Sequence, residues 1–475
     1  MKFATKFLLV LLSGVALLGV ALAWACIAVL DVSPKQVWDE MGRRSPNELI
    51  RYADAALAPY EELHAIFRPV LLQLQQRVER PVVSVQLPQL GKGRQPARVG
   101  EGRVAASVGV NTADELRQAL QQAHAGMVIE LAPGTYRFQK SLKLGGPGSG
   151  LAPIVVRAAV PDTTRIEMNT VEGFLVDQPY WVFEDLTITG VCLRDSDCEH
   201  AFHVVGPADF FVLRNSVLEN FNAPVKINGV DGRWPDHGLL SHNTLSNARP
   251  RKTSLPVVGV DLVGGNFWHI DDNLVRNFVK EQGDQVSYGL FVKGGGEGAR
   301  IERNLVICSA SEISRTGVRV GISFGGGGTG PAFCRADGCE HFEHSNGLAA
   351  NNIVAHCNDV GLDVNHSTHI LLAHNTLINT SGISLRGEGA QAQLYGNLFE
   401  GKVMLKNGSS LKREMNQAMQ AEATFAAPDQ LNLAWRKAPE RVPSVPAVAD
   451  DFCGKKRPAG TFPGALEGDA ACSVE

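Results

Sequence analysis

Aromatic side chains are scarce in this chain. Phenylalanine, tryptophan and tyrosine make up 7% of its 475 residues, against 49 glycines. That balance suits tight turns and small stacked side chains more than a large packed core. An apolar content of 44% is ordinary and excludes a disordered chain. A strong charge of one sign is also missing: the net charge of −4 argues against nucleic acid as a general partner. No C-x-x-C pairs occur at zinc spacing, which disfavours metal binding by cysteine. The glycine run from Gly325 to Gly330 lacks the Lys-Ser/Thr ending of a phosphate loop and reads as a close-packing turn.

What is present is periodic. Asn215, Asn243, Asn273, Asn304, Asn352, Asn375 and Asn397 recur with apolar residues two places after and three places before each. A period-2 strand cannot put both offsets on one face, so the chain must bend there, and asparagine tolerates a left-handed backbone. Spacings of 28, 30, 31, 48, 23 and 22 residues mark a solenoid. Ahead of most bends a four-residue segment alternates. Examples are Val225-Lys226-Ile227-Asn228, Val260-Asp261-Leu262-Val263, Leu290-Phe291-Val292-Lys293 and Leu362-Asp363-Val364-Asn365. Its first and third places face a common core. Its second and fourth places point outward as a mixed-charge strip: His203, Lys226, Asn228, Asp261, Lys293, Ser323, Asp363, Asn365 and Arg386. The expected fold is an all-β solenoid, a right-handed parallel β-helix over 108–402 with an N-terminal capping helix, and a C-terminal cap and tail over 403–475.

The first 30 residues read as a membrane anchor or signal peptide. Lys2 and Lys6 precede an uncharged run of 24 residues from Phe7 to Leu30, long enough to span a bilayer. Ala21-Leu22-Ala23 offers a cleavage site as the competing reading. Either way the bulk is exported, to the periplasm or outside the cell. Residues 31–80 form a helical segment, with a helix start at Ser45 and a second helix from about Pro59 to Arg80; residues 81–107 form a linker. Eight cysteines follow Cys26, an even number that suits an oxidising compartment. Cys192 and Cys198 clip one loop and Cys334 and Cys339 another, and Cys453 with Cys472 would staple the tail. Cys308 and Cys357 either pair or stack as thiols.

The helix from Thr112, the segment Met127-Val128-Ile129-Glu130-Leu131 and the turn Pro133-Gly134-Thr135-Tyr136 resemble the start of pectin-lyase-like β-helix proteins, especially the chondroitinase B and alginate lyase group. Gly289-Leu290-Phe291-Val292-Lys293-Gly294-Gly295 followed by Glu302-Arg303-Asn304 is similar to the same group. The resemblance implies that Lys293 abstracts the proton α to a uronate carboxyl, with Arg319 the nearest arginine to assist and Asp261 one coil before. An amine serves as such a base only where burial or neighbouring cations depress its pKa. Calcium-binding acids would stand shortly before the lysine, where this chain has Val286 and Tyr288, so calcium stays an open cofactor. Substrate contacts would come from His203, Lys226, Asn228, Asp363, Asn365 and Arg386 along the strip, with Trp234 to stack on a sugar and His237 beside it. The 48-residue spacing holds an insertion with Glu340, His341, Glu343 and His344, a candidate groove wall whose acid and histidine cluster either ligates a metal or is simply solvated. Paired carboxylates for hydrolysis are missing from the strip, which favours elimination. The expectation is an exported protein acting on or binding an acidic polysaccharide or envelope glycan, with the resemblance implying a polysaccharide lyase that uses a lysine base; the alternative is a non-catalytic envelope protein that binds glycan or protein.

Overall fold

Short strands repeat in a cycle of three, and each pairs in parallel with its counterpart one coil away. The computed structural model describes residues 49–50, 53–54, 57–78, 104–310, 317–326, 329–468 and 472. Twelve strands from Ala106–Val110 to Ser410–Glu414 form one sheet. Eleven from Gly134–Phe138 to Gln417–Ala418 form a second, and ten from Leu142–Lys143 to Lys402–Leu405 a third. This is a parallel β-helix. The stack continues past residue 402 into a further coil closed by Asn416. One core runs up its axis through residues such as Leu240, Ile270, Ile301, Leu290 and Leu362.

The asparagine column forms, with two corrections. Each amide oxygen accepts from the backbone N–H and side-chain amide of the asparagine one coil earlier, as Asn273 does from Asn243 at 2.9 and 3.0 Å. Each side-chain amide also donates to a carbonyl of that earlier coil, as Asn304 does to Ile270 at 2.7 Å. The ladder runs through Asn243, Asn273, Asn304, Asn352, Asn375, Asn397 and Asn416. Asn215 is not a member. Arg214 pairs with Ser241, so Ser216 takes the column position and its N–H donates to Asn243. Nor is the ladder asparagine the left-handed residue. That role belongs to the residue before it: Asn215, His242, Asp272, Arg303, Asn351 and His374 all have φ between 48° and 56°.

Helix Ala113–Gln122 covers the open first coil with Leu116, Ala119 and Leu120 buried. It starts where Thr112 accepts from the Glu115 N–H and Glu115 accepts from the Asn111 N–H, each side chain satisfying an end amide. At the other end the tail folds back. Phe425, Leu431, Phe452 and Leu466 cover outward apolar residues of the eleven-stranded sheet, including Leu305, Ile307, Ile353 and Ile378. Disulfides join Cys192–Cys198, Cys308–Cys357, Cys334–Cys339 and Cys453–Cys472. Cys308 and Cys357 therefore tie adjacent coils.

The helix expected from about Pro59 spans Glu61–Val78. The anchor or signal at 1–30, the helix start at Ser45 and most of the linker lie outside the described residues. Among the described residues no helix is long and apolar enough to cross a membrane.

Candidate functional site

The ten-stranded sheet carries the strip. Register places Lys226 beside Asp261, Asp261 beside Phe291, Phe291 beside Ser323 and Ser323 beside Asp363. Strands stacked about 4.8 Å apart bring these side chains into contact. Lys226 Nζ meets Asp261 Oδ2 at 2.5 Å. Asp261 is 4% exposed, yet its Oδ1 has no hydrogen-bond partner. Burial pushes that carboxyl up, but Lys226, Lys293 and the Lys226 hydrogen bond outweigh it and hold it below the usual carboxylate range. Lys293 is in register with Val263, its Nζ lying 4.4 Å from the centre of the Phe291 ring. Phe291 itself stacks on Tyr288 at 4.0 Å. The strip is thus not uniformly polar; an aromatic pair interrupts it under the lysine.

Upstream of that pair lies a group the alternation could not reveal, because part of it sits ahead of the strand pattern. His203 has Glu172 at 2.8 Å from Nδ1 and Asn228 Oδ1 at 2.7 Å from Nε2, so both ring nitrogens face oxygen. His200 donates from Nδ1 to the Ala223 carbonyl, and burial pushes it down to about 4. Glu199 is pushed up by burial and by Glu172, against the pull of His203 and Lys226. Glu172, Glu199, His200, His203, Lys226 and Asp261 therefore share one electrostatic neighbourhood. Histidine, lysine and aspartate at the outward places signalled half of it, as His203, Lys226 and Asp261; Glu172, Glu199 and His200 had no such signal.

Asp363, two coils beyond Phe291, is clamped by Arg386 on the coil after it, with contacts of 3.2 Å from Nε and 2.7 Å from Nη2 to Oδ2. Ser323 Oγ adds a longer bond to the same carboxylate at 3.4 Å. Burial, then Asp363, push the Tyr288 phenol up to about 12, against the pull of Arg386. Asn365 is buried in register with Arg386. This half of the strip is closed by its own ion pair.

The insertion forms a wall on the strip's C-terminal side. Glu343 accepts from the Gly294 N–H at 2.9 Å and from Thr329 Oγ1 at 2.8 Å, pinning the segment next to Lys293. Arg335, in the Cys334–Cys339 loop, bonds Asp236 at 2.5 and 2.9 Å and lies over the Trp234 ring at 5.7 Å. Trp234 packs against Gly229 and Gly264, so close that a Cβ at either would fall 2.4 Å from its ring. Its face is thereby covered by protein. His341 pairs with Asp337, and burial pushes His344 down to about 3.

Two expected residues stand apart. Arg319 is in register with Ser287, six residues or about 20 Å along the strand from Lys293, and is 1% exposed. It faces inward because Ser287, its partner, does. His237 belongs to a column of left-handed residues at another corner, stacked between Phe210 and Phe267 at 5.0 and 5.2 Å. Calcium does not fit beside Lys293. Val286 and Tyr288 occupy the places for its acids, and among the described residues no three His, Cys, Asp or Glu side chains gather to hold a metal.

No family model matches the chain, and no curated protein matches it significantly. Among solved structures, it is similar to pectate lyase Pel9A, at 15% identity and a TM-score of 0.48 over 74% of this chain and 90% of that one. It is similar to a mannuronic acid specific polysaccharide family 6 lyase from human gut microbiota, at 15% identity and a TM-score of 0.43 over 63% of this chain and 66% of that one. It is similar also to a GH136 lacto-N-biosidase from Eubacterium ramulus, at 10% identity and a TM-score of 0.43 over 65% of this chain and 64% of that one.

Proposed function

We propose that this chain is an exported β-helix protein that takes an acidic polysaccharide along the strip and cleaves it by β-elimination at Lys293. One observation carries the reading. Of the strip cations Lys226, Lys293 and Arg386, only Lys293 has no carboxylate hydrogen-bonded to it among the described residues, and the buried Asp261 near it keeps an unsatisfied oxygen. A sugar hydroxyl donating to Asp261 Oδ1 would satisfy that oxygen. Lys226, with one N–H on Asp261, has further donors for a uronate carboxylate. Lys293 then removes the α proton, the C–O bond to the next sugar breaks as the carbon–carbon double bond forms, and the departing oxygen takes up a proton. Four disulfides suit an oxidising compartment.

The non-catalytic alternative draws support from the coil after Lys293, which offers Gly325 and the inward Arg319 in place of an assisting cation. A turnover screen on uronate polymers, read by absorbance of the unsaturated product, separates the two. Elimination expects product with the natural chain and a loss of about 10²-fold or more in Lys293→Ala, with Tm nearly unchanged. Full activity in Lys293→Ala overturns the lysine's role. Binding without turnover supports the alternative.

A further inference from the structure

A second basic site lies at the corner from which the strip's strands start. Three of four successive coils line it. The Cys192–Cys198 loop contributes Leu193 and Arg194, the connection two coils on Arg249, Lys252 and Leu255, and the one after that Gln282, around a cavity of about 590 Å³. Its keystone is Asp195, buried beneath the cavity. Arg249 grips that carboxylate at 2.7 and 2.8 Å, Arg251 lies 3.1 Å away, and the Lys252 N–H donates at 2.7 Å. Arg251 is held in turn by Asn222 at 2.9 Å. The two guanidiniums are therefore fixed from below, while the Arg249 and Lys252 side chains are exposed above. Lys252 Nζ has no carboxylate partner among the described residues. Leu193, 96% exposed, forms an apolar lip.

Asn222 ties this corner to the strip. It lies four residues, or about 13 Å, before Lys226 on the same run of chain. Resting on the acidic-polysaccharide reading, we infer that the pocket is a remote carboxylate subsite for the same polymer, with Lys252 and Arg249 holding a uronate beyond the reacting one and Leu193 flanking the sugar. A guanidinium held by a buried aspartate, beside an ammonium whose backbone N–H the same aspartate anchors, suits an anionic sugar more than a neutral one.

The test compares equilibrium binding of a uronate disaccharide and longer oligouronates to the full chain carrying Lys293→Ala, which leaves the sugars uncut. Longer oligomers are expected to bind more tightly, and Lys252→Glu to remove about tenfold of that gain while disaccharide affinity stays the same. Lys252→Arg should keep the gain, which a general loss of folding would not. Length-dependent binding indifferent to Lys252→Glu overturns the subsite and leaves the polysaccharide reading standing. Failure of every oligouronate to bind removes that reading and the subsite with it.

Discussion

Buried histidines give this molecule a built-in acid sensitivity. Burial pushes His344 and His374 down to about 3 and His200 to about 4, so the fold requires them neutral. Each is protonated more readily when unfolded, near 6.5. Their contribution is therefore complete above about pH 6.5 and is lost as pH falls toward 4 and below. Tm should drop across that window, and His374→Asn, whose amide suits the same left-handed backbone, should flatten the drop whatever its offset at pH 7. An unchanged slope in a calorimetric pH series would count against this account. The asparagine ladder makes a second prediction. Removing the Asn304 side chain orphans the Asn273 N–H and amide and the Ile270 carbonyl, so Asn304→Ala should cost about 3 kcal/mol in denaturant unfolding. Asn215→Gly should cost less, about 1 kcal/mol, since glycine keeps the left-handed backbone and only one side-chain bond, to Asp185, is lost. The sequence could not separate these two asparagines. Val212 and Leu213 precede the bend and Val217 and Leu218 follow it, so the apolar test is passed in either frame. The pairing of Arg214 with Ser241, made across a coil, places Ser216 and not Asn215 in the column, and no local pattern announces it.

At the scale of elements, the repeats were legible and the excursions were not. Alternation at four places identified the ten-stranded sheet because its core faces an axis shared by every coil. The wall is different. Arg335 and Asp236 are 99 residues apart, and their contact depends on how the insertion folds back. Arg335→Ala should free the Cys334–Cys339 loop, speeding proteolysis there with a change in Tm of only a degree or two, because the ion pair is partly exposed. Equal cleavage rates in both proteins would mean the loop is held by other contacts. The C-terminal tail has the opposite character, acting through area and not through one pair. A chain ended before Ala421 uncovers Leu305, Ile307, Ile353 and Ile378 on one face of the eleven-stranded sheet. Such a patch drives association, so the truncated chain is expected to bind an apolar dye and scatter light; a clear monomeric solution would show that the tail is dispensable.

For the whole molecule, charge and direction matter most. A net charge of −4 repels a polyanion at long range, while the strip and the corner pocket attract it at contact. Added salt weakens both effects, so the affinity for a uronate polymer should fall only gently with ionic strength; a steep fall would count against contact confined to the strip and the corner pocket. The outward places of the strip were readable from sequence, but the chemistry at them was only partly so. Phe291 and the ion pair of Arg386 with Asp363 close much of the face, and the inward turn of Arg319 follows a register fixed by distant coils. Direction comes from the asparagine ladder. Each ladder N–H finds its acceptor on the coil that follows it in the chain, as Asn243 does on Asn273 and Asn304 on Asn352. No coil is complete until its successor arrives. A chain that folds from its N-terminus therefore always presents one unmet amide at its growing end, a template that accepts the next turn of its own chain or, if folding stalls, a turn of another.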